Sequence, residues 1–402
     1  MLITLIAGAR PNFMKIAPLI KAIQKASAEG HNIHYRLVHT GQHYDKNMSD
    51  TFFEELGIPM PHVNLGCGGG TQAEQTANIM VAFEQDLMQN PTDLVLVVGD
   101  VTSTMACSIV AKKLNTKVCH VEAGIRSWDL TMPEEINRMV TDALADYMFT
   151  TSEIANKNLL LAGASLENSA NLVNLDGLDA LGNLAKRQLP EEQYAFKRTP
   201  QRVWYVGNVM IDTLLANRCR FRKPEVYDVL GLKEKQYVVM TMHRPANVDE
   251  QEHLKALMEQ IITNVHGLPI IFPIHPRTAK LFYNLWGDEQ QLSQLFPNLH
   301  IVDPMGYLEF NYLVERAKAV VTDSGGITEE TTVMGVPCIT LRDNTERPET
   351  CTVGTNMLIG TQPQAIKPAL DKLFAGEWKQ GAIPALWDGH TAERIVEILL
   401  SL

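Results

Sequence analysis

The sequence lacks the features that mark membrane, secreted and disulfide-stabilised proteins. Among its 402 residues, no apolar run approaches the ~20 residues that a bilayer-spanning helix needs. The opening segment MLITLIAGAR has neither a basic leader nor a small-residue cleavage site. The six cysteines form no Cys-x-x-Cys pair, which argues against a zinc site or a disulfide framework. These absences predict a cytoplasmic protein that does not span a membrane.

Signature motifs of several large enzyme classes are also missing. The sequence has no Gly-x-Ser-x-Gly elbow, no Walker lysine loop and no Gly-x-Gly-x-x-Gly dinucleotide fingerprint. No carboxylate-rich loop has the spacing of metal ligands. The formal net charge is -11, so an anionic substrate must be held by a local cluster of cations and amides. We therefore predict that the protein binds neither a metal nor nucleic acid.

Length and periodicity predict an α/β protein with two doubly wound parallel sheets. A chain of 402 residues is too long for one ordinary core, which favours two domains. Short β-branched runs alternate with helical stretches, as in β-α repeats, and several runs are apolar throughout, as in strands buried on both faces. The predicted strands are 2–7, 33–39, 93–98, 117–123, 147–152, 203–207, 237–242, 269–275, 299–303, 319–324 and 337–341.

One stretch interrupts this rhythm and sets the predicted domain boundaries. Residues 163–200 are rich in Asn, Leu and Gly and show no clear strand, although a short helix is predicted at 176–187. The tail HTAERIVEILLSL has the pattern of an amphipathic helix that packs on a sheet. The predicted segments are an N-terminal domain, a linker or insertion, a C-terminal domain and a terminal helix that packs back on the N-terminal domain, at 1–165, 166–201, 202–380 and 381–402.

Carboxylates follow the predicted strands of the first half, where ligands of open α/β sheets bind. Asp100 follows the third predicted strand, Glu122 lies at the end of the fourth, and Glu134 lies in a Pro-Glu-Glu helix start. Neighbouring carboxyl groups raise one another's pKa, which lets a pair divide into an acid and a base near neutral pH. If the three converge, they could exchange protons with a substrate. Each alone is also consistent with an ion pair or a helix cap, and Asp100 could cap the next helix.

The stretch TDSGGITEETTVMG of the second half has the pattern of a phosphate site. Ser324, Gly325 and Gly326 stand between a predicted strand and a predicted helix, where paired glycines allow close backbone approach and unsatisfied amides attract an anion. Glu330 lies about one turn further on, where a carboxylate could reach a ribose hydroxyl. The alternative is a simple turn followed by a solvated helix face.

Cationic side chains near other strand ends are the remaining candidates for contacts with a phosphate. His243, beside Arg244 after a strand, could place positive charge near a leaving diphosphate, or could simply satisfy a loop carbonyl. Arg10 and Lys15 follow the first strand and could reach a phosphate held by the other half. His120 we assign to the fold.

Eight motifs together identify a family. They extend from residue 8 to residue 349 and read GARPNFMKIAPL, TGQHYD, VVGDVTST, HVEAGIRS, MPEEINR, VGNVMIDTL, HRPANV and TDSGGITEETTVMGVPCITLRDNTERPE. With them the chain resembles the non-hydrolysing UDP-N-acetylglucosamine 2-epimerases, a branch of the GT-B architecture. The resemblance implies two Rossmann-like domains that face a cleft, and a homodimer.

The resemblance also implies a reaction and its residues. UDP-N-acetylglucosamine is epimerised reversibly at C2 to UDP-N-acetylmannosamine by elimination and re-addition of UDP, without a redox cofactor or metal. Asp100, Glu122 and Glu134 take the acid and base roles, and His243 acts beside the leaving diphosphate. Positions that match UDP-sugar contacts in the family are Arg10, Lys15, Ser324, Gly325, Gly326, Glu330 and Arg347.

Departures from the family pattern leave alternatives open. A regulatory UDP-sugar site found in some bacterial members is altered at 42–45, at Gly69 and at 244–247, which argues against allosteric activation by substrate. The same changes are compatible with another substrate, such as a diacetamido uronic acid. Further alternatives are a hydrolysing 2-epimerase, a GT-B glycosyltransferase and an inactive UDP-sugar sensor.

Overall fold

The chain folds into two compact units. The structure, a computed structural model, describes residues 1–41, 55–162, 165–166, 201–274 and 276–402. The first unit comprises Met1–Thr213 together with Ala385–Leu402, and the second comprises Leu214–Pro384. Each unit has a parallel sheet of its own, so the prediction of two parallel α/β sheets is confirmed.

In the described part of the first unit, the sheet has eight strands in the order β3-β2-β1-β4-β5-β6-β8-β7, and every neighbouring pair is parallel. The strands are β1 Leu2–Ala7, β2 His34–His39, β3 Val63–Asn64, β4 Leu94–Val98, β5 Lys117–Val121, β6 Tyr147–Thr150, β7 Ser165–Leu166 and β8 Arg202–Tyr205. The early helices are α1 Arg10–Ala28, α2 Gln72–Gln89, α3 Thr102–Lys113, α4 Pro133–Leu144, α5 Glu153–Leu161 and α6 Val209–Asn217.

In the described part of the second unit, the sheet has six parallel strands in the order β11-β10-β9-β12-β13-β14. They are β9 Val238–Thr241, β10 Ile270–Pro273, β11 Leu299–Val302, β12 Ala319–Thr322, β13 Cys338–Thr340 and β14 Asn356–Leu358. Its helices are α7 Glu225–Val229, α8 Pro245–Val248, α9 Gln251–Asn264, α10 Pro276–Trp286, α11 Glu289–Leu295, α12 Tyr307–Arg316, α13 Gly325–Met334, α14 Pro348–Thr352 and α15 Ile366–Phe374. The final helix, α16 Thr391–Leu400, belongs to the first unit.

The order of the strands puts candidate residues at the point in each sheet where ligands usually bind. The chain reverses direction across the sheet between β1 and β4 in the first unit and between β9 and β12 in the second. Ligands of doubly wound sheets bind beyond the carboxyl ends of the strands at such a reversal. Asp100 follows β4 in the first unit, and Ser324 follows β12 in the second. Each unit thus presents candidate residues where its own topology favours a ligand.

Burial explains why the apolar runs form central strands. All five residues of β4, LVLVV, are buried, as are all four of β12, AVVT. One core cluster of the first unit packs Ile79 and Phe83 of α2 against the sheet. A corresponding cluster of the second unit packs Leu257 and Ile261 of α9 against β9, β10 and β12. Parallel strands covered by helices on both faces need this continuous apolar character.

The longer strands were predicted from the sequence, and the shortest were not. Each of the eleven predicted strands is present, with both ends within two residues of the prediction. The strands β3, β7 and β14, of two or three residues each, were missed. The expectation that 163–200 holds no strand is wrong at Ser165–Leu166, which pairs with β8. The predicted helix at 176–187 lies outside the described residues.

The tail forms a helix that packs within the first unit. Helix α16 contacts α1, and Lys25 Nζ lies 3.0 Å from Glu393 Oε1. The start of α16 is capped from α6, where the Asp212 carboxylate accepts hydrogen bonds from the amides of Thr391 and Ala392 at 3.1 and 2.7 Å. In the described part of the chain, no helix has the length and apolar character needed to cross a membrane.

Candidate active site

Glu122 occupies a strained and fully buried position at the end of β5. Its backbone φ is +70°, and its side chain is 0% exposed. A non-glycine residue in this region costs about 1–3 kcal/mol, and such strain concentrates at functional sites. The Glu122 Oε2 atom accepts a hydrogen bond from Lys15 Nζ at 2.6 Å. From the sequence we predicted that Lys15 contacts a phosphate, whereas in the structure Lys15 pairs with Glu122, a candidate acid or base.

Gly99 makes room for this ion pair. Its φ is +68°, and a Cβ placed there would lie 3.0 Å from Lys15 Nζ and 3.7 Å from Glu122 Oε2. A side chain at this position would therefore strain the backbone and press on the pair. The glycine in the turn after β4 thus leaves room for the Lys15–Glu122 contact, and Asp100 follows directly.

Arg138 contacts two of the candidate residues, Asp100 and Glu122. It projects from α4, is 1% exposed, and donates from Nη1 to the Glu122 carbonyl oxygen at 2.7 Å. Its Nη2 forms an ion pair with Asp100 Oδ2. The adjacent Asn137 donates from Nδ2 to the Asp100 carbonyl oxygen at 2.9 Å. Helix α4 thereby fixes the turn after β4 and the turn after β5 together.

The two glutamates at the start of α4 have different environments. Glu134 is exposed, whereas Glu135 is buried and accepts hydrogen bonds from the Ser127 amide and hydroxyl at 2.8 and 3.0 Å. Glu135 therefore holds the loop before the helix. Glu134 remains accessible to a ligand, one helical turn before Arg138.

The start of α13 forms the candidate phosphate site. Ser324 is the N-cap residue, its side chain makes no capping hydrogen bond, and Gly325 and Gly326 begin the helix. An ideal Cβ on Gly325 would lie 3.6 Å from Arg342 Nη1, so the guanidinium group approaches the helix start closely. Burial, followed by the nearby charge of Arg244, lowers the pKa of Arg342. We call Ser324, Gly325, Gly326 and Arg342 the anion site, because unsatisfied amides and crowded cations both favour a bound anion.

Glu330 is buried within α13 rather than exposed on its surface. Burial raises its pKa to about 7, against the opposing effect of Tyr307, whose hydroxyl donates to Glu330 Oε1 at 2.8 Å. Tyr307 is itself buried at the start of α12. The Glu330 carboxyl group is therefore oriented by a neighbouring helix, as a precise hydrogen-bonding group requires.

Arg347 and His243 each pair with a buried carboxylate. Arg347 is 6% exposed and forms an ion pair with Glu329, so its guanidinium group braces α13. The exposed His243 ring places Nδ1 2.8 Å from Asp323 Oδ1. Burial raises the pKa of Asp323, but the His243 ring and the amides of His243 and Arg244 outweigh burial and hold that pKa below its usual value. An aspartate on Nδ1 leaves Nε2 as the ring atom available to a ligand.

Several residues of the site were not predicted from the sequence. Arg138 lies within MPEEINR, one turn after Glu134, and Arg342 directly follows the run PCITL, so the strand-end rule applied there would have found it. Asp323 directly follows β12, so the same rule covers it, but its pairing with His243 gives no local signal. Tyr307 gives none either, because its contact with Glu330 joins two helices. The Arg10 side chain and residues 42–45 lie outside the described part of the structure. Within the described ranges, no group of three or more His, Cys, Asp or Glu residues could hold a metal ion.

The fold and these residues define a class of protein. Two Rossmann-like sheets, with candidate carboxylates at the strand ends of one and an anion site at the strand ends of the other, are typical of enzymes that act on nucleotide-linked substrates.

Comparisons with known proteins identify the family within that class. The family model described as UDP-N-acetylglucosamine 2-epimerase matches residues 25–400. A UDP-N-acetylglucosamine 2-epimerase of Methanocaldococcus jannaschii is 38% identical over 99% of both chains. The UDP-2,3-diacetamido-2,3-dideoxy-D-glucuronate 2-epimerase of Pseudomonas aeruginosa is 33% identical over the full length of both. A crystal structure of the M. jannaschii enzyme in complex with UDP-GlcNAc and UDP superposes with a TM-score of 0.79, at 37% identity and full coverage.

The chain belongs to the UDP-N-acetylglucosamine 2-epimerase family. The match to the family model and the full-length identity of 38% confirm the resemblance carried by the motifs. The structural match confirms the predicted fold class, two Rossmann-like domains of the GT-B type.

Proposed function

We propose that the protein epimerises UDP-N-acetylglucosamine reversibly at C2 to UDP-N-acetylmannosamine. The proposal is supported by family membership and by the 38% identical M. jannaschii relative described as a UDP-N-acetylglucosamine 2-epimerase. In the first half of the reaction, a base removes the C2 proton while the C1–O bond breaks and its electron pair leaves with UDP. The unsaturated sugar then receives a proton on the opposite face of C2, and UDP re-adds at C1.

The observation that carries this proposal is the arrangement of the partly exposed Asp100 and the buried Glu122 around one buried arginine, Arg138. Removal and return of a proton on opposite faces require two separately placed acid or base groups. Arg138 contacts Asp100 at its carboxylate and Glu122 at its backbone carbonyl oxygen. Lys15 restrains the Glu122 carboxylate, and the accessible Glu134 is the third candidate for proton transfer.

The second unit is assigned to the UDP portion of the substrate. The anion site would bind the diphosphate through backbone amides and Arg342. Glu330, oriented by Tyr307, would accept hydrogen bonds from the ribose hydroxyls. His243 would stabilise the departing diphosphate through Nε2. As the family resemblance implies, Arg10 would contact the diphosphate and Arg347 the UDP-sugar.

The first experiment is proton NMR of UDP-N-acetylglucosamine incubated with the protein in deuterated buffer. Loss of the C2 proton signal together with a UDP-linked manno product would establish epimerisation through C2 deprotonation. Free N-acetylmannosamine and accumulating UDP would instead indicate a hydrolysing enzyme. A spectrum that stays unchanged would refute the proposed substrate.

Replacement of Glu122 tests the proton-transfer role. We expect Glu122→Gln to lower the rate of C2 proton exchange by about 10²–10⁴-fold, the usual contribution of a general acid or base. UDP affinity, measured by calorimetry, should stay nearly unchanged because the anion site lies in the other unit. The exposed Glu84 on α2 supplies the matched control, and Glu84→Gln should leave both quantities unchanged. A fully active Glu122→Gln variant would remove Glu122 from the mechanism.

The second candidate substrate is a UDP-linked diacetamido uronic acid. The P. aeruginosa relative that acts on such a sugar is 33% identical over the whole length of both chains, close to the identity with the M. jannaschii enzyme. The same NMR experiment with that nucleotide sugar separates the two. The substrate with the higher kcat/KM for C2 proton exchange is the one to which the site is adapted.

We further propose a cytoplasmic homodimer, as the resemblance implies. Light scattering coupled to size-exclusion chromatography measures the molar mass directly. A mass of one 44.8 kDa chain at micromolar concentration would refute the dimer.

A further inference from the structure

His120 lies behind the turns that carry Asp100 and Glu122. It belongs to β5, is completely buried, and its two ring nitrogens have different partners. Nδ1 is 2.7 Å from Asp142 Oδ1, and Nε2 is 2.8 Å from the Gly99 carbonyl oxygen. Asp142 comes from α4 and Gly99 from the turn after β4, so one imidazole connects three elements.

Both partners of the ring accept hydrogen bonds only. A backbone carbonyl has no hydrogen to donate, so Nε2 must carry one. Asp142 is held as a carboxylate by its ion pair with the buried Arg126. The other Asp142 oxygen lies 2.6 Å from Arg126 Nη1 and accepts from the Gly124 amide at 3.1 Å. Nδ1 must therefore also carry a hydrogen.

From this hydrogen-bond pattern we infer that His120 is a buried imidazolium that positions Asp100 and Glu122 for proton transfer. The Nε2–H group fixes the Gly99 carbonyl, one residue before Asp100, and the Gly99 amide donates to the Val121 carbonyl at 3.0 Å, one residue before Glu122. His120 touches neither candidate carboxylate, so its role is positioning rather than catalysis.

The surrounding charges are consistent with this assignment. The charged groups near His120 are Asp142 and Arg126 on one side and the Arg138–Asp100 and Lys15–Glu122 pairs beyond the Gly99 turn. Each cation other than His120 contacts a carboxylate, and Asp142 contacts two cations. Loss of the imidazolium hydrogen from Nε2 would leave the buried Gly99 carbonyl facing a lone pair, which is unfavourable.

Two measurements test the inference, and the first needs no substrate. In protein labelled with ring-¹⁵N histidine, the two His120 nitrogens, assigned by the loss of their signals in His120→Gln, should both show directly bonded hydrogens at neutral pH. A nitrogen of the unprotonated type at His120 would overturn the imidazolium assignment.

The second measurement rests on the proposed function and follows C2 proton exchange. We expect His120→Gln to lower kcat by at least about tenfold while KM for the UDP-sugar changes less than about twofold. The matched control is Arg36→Gln, which breaks a partly buried contact of two hydrogen bonds with Asp86 elsewhere in the same unit and should leave kcat unchanged. Equal losses of kcat in both variants, or none in His120→Gln, would overturn the positioning role. An inactive wild-type protein would refute the proposed function, whereas the NMR result would still decide the charge of His120.

Discussion

The carboxyl group of Glu330 is buried, whereas the ribose contact proposed for it favours the charged form. Burial raises its pKa to about 7, so a large fraction is protonated at neutral pH. A protonated carboxyl group accepts hydrogen bonds from a ribose diol less well than a carboxylate does. The Tyr307 hydroxyl opposes the effect of burial because its hydrogen bond favours the charged form. The affinity of this unit for UDP should therefore depend on pH through one residue.

We expect UDP affinity to rise about tenfold from about pH 6 to about pH 8, because the Glu330 carboxylate becomes populated over that range. Calorimetric titrations of wild-type protein and Glu330→Gln measure this. The terminal phosphate of UDP titrates identically in both, so the difference between the two pH profiles isolates Glu330. In Tyr307→Phe the midpoint should move to higher pH. Profiles that coincide for wild type and Glu330→Gln would refute the ribose contact.

The glycines at the two ends of α13 differ: Gly325 lies in the proposed anion site, and Gly335 ends the helix. Gly325 has no positive φ, and a Cβ there meets only Arg342 Nη1 at 3.6 Å, an ordinary contact. Gly335 at the other end has φ +70° in the left-handed C-cap conformation. The first glycine is therefore unnecessary for the helix, whereas the second terminates it.

Alanine substitutions at the two ends of α13 should affect different quantities, UDP affinity at Gly325 and the free energy of unfolding at Gly335. Gly325→Ala should retain the free energy of unfolding but weaken UDP binding by about tenfold or more, because the methyl group occupies space that a phosphate oxygen needs. Gly335→Ala should lower the free energy of unfolding by about 1 kcal/mol and leave UDP affinity unchanged. Denaturant titration and calorimetry on both variants measure the two quantities. Undiminished UDP affinity in Gly325→Ala would exclude close phosphate approach at this helix start.

Elements differ in how well the sequence predicts them, and the reason is the range of the interactions that form them. β4 and β12 are recognisable because burial on both faces demands a continuous apolar run. β14 is three residues long, Asn-Met-Leu, and is a strand only because β13 lies beside it. Similarly, the strand-end rule found Glu122 and Ser324, but the Lys15–Glu122 pair depends on how α1 packs on the sheet. The Tyr307–Glu330 contact likewise requires two helices to pack, which no local pattern encodes.

At the scale of the whole molecule, each unit has its own sheet and its own hydrophobic core. The chain crosses from the first unit to the second within α6 and returns near Ala385, after which α16 packs on α1. The residues that we assign to proton transfer and those that we assign to UDP therefore depend on different cores. A substitution in one core should disturb the residues of that unit first.

Paired cavity-forming substitutions test this independence. Ile395 on α16 and Leu257 on α9 are both completely buried, the first in the first unit and the second in the second. Each change to alanine should cost about 2–5 kcal/mol of local stability. Hydrogen exchange followed by mass spectrometry should accelerate in β1 and β2 for Ile395→Ala, and in β9 and β10 for Leu257→Ala, with the other sheet unchanged in each case. Exchange that accelerates in both sheets in either variant would show that the two cores unfold as one, and proton transfer and UDP binding would then share a single stability.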